Sequence, residues 1–192
     1  WLPPGLAKFR TLYPDIAIEL ADVTGDEVVS AVANNLSEIG IGPERPIPSG
    51  VTSIGLWIEQ MQIVLPGSSK LAQKTGNLTV ADIQGQPWIN YSDEFNLHLQ
   101  RTVWTQAPQL QSAQVRVNSL TTALAMVNAG HGLTAAPRYA NIFEDQFDVV
   151  FRTLQGKDTG RLFCLYQRTG NSLSPAAASF VALIQQSLDP LE

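Results

Sequence analysis

The sequence VNAGHGLTAAP, residues 127–137, joins an apolar segment to a short buried segment through two glycines. Before the glycines, apolar residues recur at helical spacing: Leu120, Ala123, Leu124 and Val127. Gly130 stands where a C-terminal helix cap adopts a left-handed conformation, which glycine tolerates without strain. Residues 133–136 are apolar throughout, which is typical of a strand covered on both faces. The stretch therefore predicts one helix-to-strand turn of an α/β sheet.

The same stretch also matches a loose dinucleotide pattern, G-x-G-x-x-A, through Gly130, Gly132 and Ala135. That pattern binds pyrophosphate only when a strand enters the glycines and a helix leaves them, because the phosphates then meet helix N–H groups. Here a helix enters and a strand leaves, so the glycines face helix carbonyls, which repel phosphate. The direction of the chain argues against nucleotide binding.

Composition and charge narrow the function classes. The chain has 192 residues, of which 44% are hydrophobic, enough for one large domain or two small ones. Its formal charge of −5 argues against a broad nucleic-acid surface, which needs clustered Lys and Arg. The lone Cys164 is expected to be buried and inert, and it fits a reducing compartment, so we expect a cytoplasmic protein. No apolar run approaches the length of a membrane span.

Further patterns indicate helices that alternate with strands. Helices are predicted over residues 1–13, from the capping box T-G-D-E at residues 24–27, after Ser119, and from Ser174 and Pro175 onward. Asn96 is a possible cap of one more helix. Strands are predicted at residues 16–23, 39–42, 54–58, 62–65, 88–91, 115–117, 149–151 and 162–166, with a break near Gln60. This alternation favours an α/β fold with a parallel sheet, whose ligands bind at the carboxyl ends of the strands.

The order of these segments resembles the effector-binding domain of LysR-type transcriptional regulators. The resemblance is carried by LPPGLAKFRTLYPDIAIEL (2–20), DVTGDEVVSAV (22–32), EIGIGPER (38–45), IVLPGSSKLA (63–72), LTVADIQGQPWI (78–89) and VNAGHGLTAAP (127–137). It implies two Rossmann-like α/β subdomains with type 2 periplasmic-binding-protein topology, joined by two crossover strands. Subdomain I would comprise residues 1–58 and 163–192, and subdomain II residues 59–162. The resemblance leads us to expect that the first strand of subdomain I and an N-terminal winged helix-turn-helix domain are absent from this chain.

The resemblance also implies a small-molecule effector site in a cleft between the subdomains. Transferred residue by residue, its contacts are Thr24, Gly25, Ser92, Asp93, Glu94, Phe95 and Asn96. The helix start after Thr24 offers free N–H groups and a positive dipole end, which suit a carboxylate. Four acidic residues crowd these loops (Asp26, Glu27, Asp93 and Glu94), so a neutral or cationic effector stays open. Three cations could compensate for that charge, but the sequence does not place them: Arg45, Arg101 and Arg138.

The implied function is ligand sensing in a DNA-binding regulator, with self-association as a homodimer or tetramer and DNA contacts only through the absent N-terminal domain. An exported solute-binding protein of the same topology is the alternative, and a signal peptide upstream of Trp1 would identify it. The sequence holds no G-x-S-x-G motif or P-loop, so we do not expect an enzyme. His98 and His131 have no second ligand at metal spacing, and neither a metal nor an organic cofactor is expected.

Overall fold

The computed structural model describes residues 2–91, 115–156 and 159–188. The helices are α1 (Leu2–Leu12), α2 (Gly25–Ala33), α3 (Val80–Ile83), α4 (Leu120–Asn128), α5 (Glu144–Phe147) and α6 (Pro175–Ser187), with a 3-10 helix at Arg138–Phe143. The strands are β1 (Ile39–Pro43), β2 (Val51–Pro66), β3 (Ile89–Asn90), β4 (Val115–Arg116), β5 (Thr134–Pro137), β6 (Val149–Arg152) and β7 (Gly160–Arg168). They form two compact units: unit 1 is Trp1–Glu59 with Arg161–Glu192, and unit 2 is Gln60–Gly160.

Unit 1 is a sheet covered by helices. β1 pairs antiparallel with β7, and Ile41 lies opposite Leu165. Helix α2 packs closely on β1, since a Cβ atom added at Gly40 would lie 2.7 Å from Cγ1 of Val28. Helices α1 and α6 contact each other through the rings of Phe9 and Phe180, 5.2 Å apart and nearly perpendicular. The core of this unit is built from two groups of buried residues: Val29, Val32, Val51, Cys164 and Tyr166, and Leu56, Leu165, Val181 and Ile184.

Unit 2 is built around the second half of β2. This half lies between β5 and β6, and both pairings are antiparallel, so Ile63 lies opposite Ala135 on one side and Arg152 on the other. β3 and β4 pair in parallel, and Trp88, just before β3, forms a parallel bridge with Leu133. Side chains of β2 alternate between two buried clusters, one centred on Met61, Ile63 and Leu65 and the other on Val64.

The helix-to-strand turn predicted at residues 127–137 is confirmed. α4 ends before Gly130, which has a φ of +81°, and β5 follows. Gly132 has a φ of +144°, and a Cβ atom there would lie 2.5 Å from the carbonyl oxygen of Pro87. This close approach lets Leu133 donate a 2.8 Å backbone hydrogen bond to Pro87 and accept one of 2.8 Å from Ile89. The turn thereby fixes the position of β5 beside β3.

Other predictions agree with the structure in part. α1, α2, α4 and α6 lie where helices were predicted, and Ser119 caps α4 by accepting a 3.2 Å hydrogen bond from the amide of Thr122. The break predicted near Gln60 is wrong, because β2 is one strand of 16 residues. Gln60 is polar because it is exposed on that strand, while Glu59 and Met61 on either side of it are buried.

The strand predicted at residues 16–23 is wrong, because these residues form no strand ladder with the described part of the chain. Ile18 and Leu20 are 39% and 63% exposed. The spacing of these apolar residues is typical of a strand, but a strand also needs a neighbouring strand to which it is hydrogen-bonded. The parallel sheet is also wrong for the longer strands, which pair antiparallel. The alternation of helices and strands along the sequence does not determine whether neighbouring strands run parallel or antiparallel.

Candidate functional site

The N-terminus of α2 in unit 1 contains two of the predicted effector contacts, Thr24 and Gly25. Thr24 is the exposed N-cap residue in extended conformation. Its amide and its hydroxyl both donate to Oε2 of Glu27, at 2.8 and 2.7 Å. These bonds, the hydroxyl's foremost, lower the pKa of Glu27. The proton of the Thr24 hydroxyl is therefore engaged by Glu27.

Gly25, the first residue of α2, lies directly beneath the guanidinium group of Arg45. A Cβ atom added at Gly25 would lie 2.5 Å from both Nε and Nη2 of Arg45. A side chain at this position would require the guanidinium to move. The predicted contact residue Gly25 therefore lies under the guanidinium of Arg45, whose position the sequence did not predict.

Arg45 also forms an ion pair with Asp26, with 2.5 Å between Nη1 and Oδ1. The two partners differ in exposure, since the side chain of Arg45 is 13% exposed and that of Asp26 is 86% exposed. Asp26 and Glu27 place negative charge in the first turn of α2, where the helix dipole favours it. Arg45 adds positive charge at the same end, and Asp26 compensates for it.

The position of Arg45 follows from the end of β1. The Tyr166 hydroxyl donates a 2.6 Å hydrogen bond to the carbonyl of Pro43, the last residue of β1. The Glu44 amide donates to the carbonyl of Leu162 at 2.8 Å, so the chain stays attached to β7 past the end of the strand. Arg45 is the next residue, so these two hydrogen bonds fix the point at which the chain leaves the sheet. Arg45 is among the three cations that could compensate for the acidic residues, but no local pattern pairs it with Asp26, because the two lie 19 residues apart.

The carboxyl ends of the strands in unit 2 gather a second set of polar side chains. Asn90 at the end of β3 is buried, and Tyr91 follows it. Burial raises the pKa of the Tyr91 phenol well above its ordinary value, with a smaller contribution from Tyr139. Arg138 is exposed at the start of the 3-10 helix that follows β5. The two sets of residues belong to separate units.

The five predicted contacts Ser92, Asp93, Glu94, Phe95 and Asn96 lie outside the described residues, as do Arg101, His98 and the helix predicted after Asn96. Of the predicted site residues, the structure therefore brings together Thr24 and Gly25, and it adds Asp26, Glu27 and Arg45 to them.

A cavity of about 240 Å³ lies at the other end of unit 2, between the loops that precede β3 and β5 and the loop that follows β2. It is lined by Pro66, Ser69, Lys70, Leu71, Gln86, Pro87, Gly130, Gly132 and Leu133. Its walls are mainly apolar.

Two kinds of feature are lacking from the part of the chain that the structure describes. Residues 2–91, 115–156 and 159–188 contain no group of three His, Cys, Asp or Glu side chains placed to hold a metal ion. In the same ranges no helix has the length and hydropathy that a membrane crossing requires.

Among curated proteins, the probable cat1 operon transcriptional activator of Acinetobacter lwoffii is 27% identical to this chain over 158 residues. The match covers 81% of the chain and 52% of that activator, so the chain spans about half the length of this relative.

Two solved structures share the fold. The regulatory domain of Synechocystis PCC6803 CcmR in complex with 2-PG superposes with a TM-score of 0.84 at 14% identity, covering 100% of this chain and 93% of that one. The effector binding domain of QuiR in complex with shikimate superposes with a TM-score of 0.84 at 14% identity, covering 97% and 89%.

The model of the LysR substrate binding domain family matches residues 1–189, nearly the whole chain. The α/β fold with periplasmic-binding-protein topology, predicted from the resemblance, is confirmed by these structures. The chain belongs to the LysR substrate binding domain family, and it is a ligand-sensing domain of that family.

Proposed function

We propose that this domain binds a small organic effector at the N-terminus of α2, and that Thr24, Gly25 and Arg45 contact it. The observation that carries the proposal is the guanidinium of Arg45 seated on the backbone of Gly25, next to the first turn of a helix. This arrangement joins a partly buried cation to helix N–H groups, which together favour a ligand with negative charge. Ser92, Asp93, Glu94, Phe95 and Asn96 remain proposed contacts on the strength of the family resemblance.

We further infer that the effector acts within a longer cytoplasmic protein that regulates transcription and contacts DNA through another part of its chain. The support is the cat1 operon activator, of which this chain spans about half. Self-association as a homodimer or tetramer belongs to the same proposal. The domain is proposed to bind its effector reversibly rather than convert it, and units 1 and 2 are proposed to be the two subdomains predicted from the sequence.

The test is a thermal-shift screen of small organic acids, polyols and amines against the 192-residue chain, followed by calorimetric titration of each compound that stabilises it. A ligand at a hundred times its Kd should stabilise the fold by about 2.7 kcal/mol. Gly25→Ala should reduce the stabilisation, because its Cβ atom forces the guanidinium of Arg45 to move. Gly5→Ala is the matched control, since a Cβ atom at Gly5 meets nothing within 4 Å. Equal binding by both variants would place the effector elsewhere.

A further inference from the structure

The cavity of about 240 Å³ lies in unit 2, where the loops before β3 and β5 meet the loop after β2. It is lined by residues of unit 2, whereas Thr24, Gly25 and Arg45 of the proposed effector site belong to unit 1. We propose that this cavity is a second ligand site, and that it takes a neutral, flat aromatic molecule of the size of indole. Such a ligand is distinct from the effector, and its binding does not depend on the role proposed for α2.

The volume of the cavity limits the size of its ligand. An apolar cavity of about 150 Å³ holds one benzene molecule. The cavity in unit 2, at about 240 Å³, therefore has room for a second fused ring. It is smaller than the pockets of drug-sized ligands, which begin at about 300 Å³. Leu133 is buried at its base, whereas Lys70 and Gln86 are exposed at its mouth, so one edge of the ligand meets apolar surface and the other stays near water.

The walls of the cavity are fixed by contacts within unit 2. One wall is the loop after β2, which Arg152 holds: its Nη1 donates to the carbonyl of Ala72 at 3.1 Å, and its Nη2 donates to that of Lys74 at 2.5 Å. Another wall is formed by Gly132 and Pro87, which lie so close that a Cβ atom at Gly132 would be 2.5 Å from the Pro87 carbonyl oxygen. A ligand that enters fixed walls loses little binding free energy to ordering the protein.

Groups of opposite charge border the cavity. Lys70 brings an ammonium group to its mouth, and in the part of the chain that the structure describes this ammonium has no ion-pair partner. Gly130 also lines the cavity and directly follows the C-terminal cap of α4, where the helix dipole is negative. The ammonium disfavours a cationic ligand, and the helix end disfavours an anionic one.

A neutral aromatic ring suits both of these groups. The face of such a ring is negative and attracts an ammonium group, while its edge is positive. The ring can therefore present its face to Lys70 and its edge to the end of α4. Indole has this charge distribution, two fused rings and an N–H donor on its edge.

The experiment follows the backbone amides of the 192-residue chain by NMR during titration with indole. We expect the amide signals of Gly130, Gly132 and Leu133 to shift, and that of Gly25 in unit 1 to stay in place. Benzofuran has rings of the same size but no N–H donor, so it should bind about two- to tenfold more weakly. Indole-5-carboxylate should also bind more weakly than indole, by roughly twofold or more, because the end of α4 disfavours its charge.

Lys70→Met removes the cation but keeps an unbranched side chain, so it should weaken indole binding about two- to fivefold. Lys8→Met is the matched control, because Lys8 is an exposed lysine of unit 1 and its loss changes the net charge equally. This variant should bind indole as the unmodified chain does. Thermal unfolding of each variant checks that it is folded.

Three results would overturn the proposal. The first is that the amides of Gly130, Gly132 and Leu133 do not shift up to the solubility limit of indole, or that the largest shifts centre on Gly25. The second is tighter binding of indole-5-carboxylate than of indole, since the cavity would then select an anion. The third is an equal loss of indole affinity in Lys70→Met and Lys8→Met, since the effect would then be one of net charge.

Discussion

The hydroxyl of Tyr166 donates a 2.6 Å hydrogen bond to the carbonyl of Pro43, two residues before Arg45. This bond ties β7 to the end of β1. It is also made by a side chain that is completely buried. The stability of unit 1 and the position of Arg45 therefore depend on the same phenol.

Replacing Tyr166 with Phe should lower the free energy of unfolding by about 1–3 kcal/mol, because the Pro43 carbonyl loses its donor. Urea denaturation measures the change. Tyr13→Phe is the control, since Tyr13 is 38% exposed, and its effect should stay within about 0.5 kcal/mol. If Tyr166→Phe changes the free energy of unfolding as little as Tyr13→Phe does, a water molecule donates to the Pro43 carbonyl in place of the hydroxyl.

The same phenol predicts a loss of stability at alkaline pH. Burial, above all other causes, raises the pKa of Tyr166 from 10.0 to about 12. In the unfolded chain the phenol ionises near pH 10, so its contribution to stability is complete below that pH and falls as the pH rises toward 12. Urea midpoints between pH 8 and about pH 11 should fall less steeply for Tyr166→Phe than for the unmodified chain.

Asp82 at the first turn of α3 predicts the opposite dependence at acid pH. Hydrogen bonds from Lys74 first, and then from Thr79, lower its pKa from 3.8 to about 2. A lowered folded pKa stabilises the protein above about pH 4, and this contribution is lost as the pH falls toward 2. Asp82→Asn should flatten the decline in urea midpoint over that range. Asp15→Asn, at an exposed position, is the control, and a flattening of equal size there would contradict the assignment.

The two glycines of the 127–137 turn predict unequal costs. Gly132→Ala should destabilise the chain by about 3 kcal/mol or more, because its Cβ atom would lie 2.5 Å from the Pro87 carbonyl oxygen. Gly130→Ala should cost about 1–2 kcal/mol, because its φ is +81° but nothing lies within 4 Å of an added Cβ. Chemical denaturation of both variants measures the difference. Equal costs would show that backbone conformation alone decides them.

Thr24→Val should lower stability by about 1 kcal/mol, because the hydroxyl bond to Glu27 is lost at the cap of α2. Thr11→Val is the comparison, since the Thr11 hydroxyl donates to the carbonyl of Ala7 within an intact helix. Its cost should stay within about 0.5 kcal/mol. Urea unfolding followed by circular dichroism measures the loss of stability in each variant.

Local patterns predicted the segments whose structure depends on neighbours in sequence. The cap at Ser119 and the left-handed Gly130 are set by a few adjacent residues, so the sequence alone locates them. The direction of the strands, and whether residues 16–23 form a strand, depend on partners far along the chain. No local pattern contains that information.

The candidate site divides in the same way. Thr24 and Glu27 are three residues apart, and the capping box predicted their contact. The sequence identifies Arg45 as a possible compensating charge, but its contact with Gly25 depends on the packing of β1 on α2, which no local pattern contains.

Cys164 is the only cysteine of the chain and is buried in unit 1, where its pKa is raised, chiefly by burial. Thiol reagents act on the exposed thiolate, so the native fold offers them almost no target. A cysteine introduced at an exposed position such as Ser30 would then carry a fluorophore or spin label alone. The domain can thus be labelled at a single chosen position without first removing its own thiol.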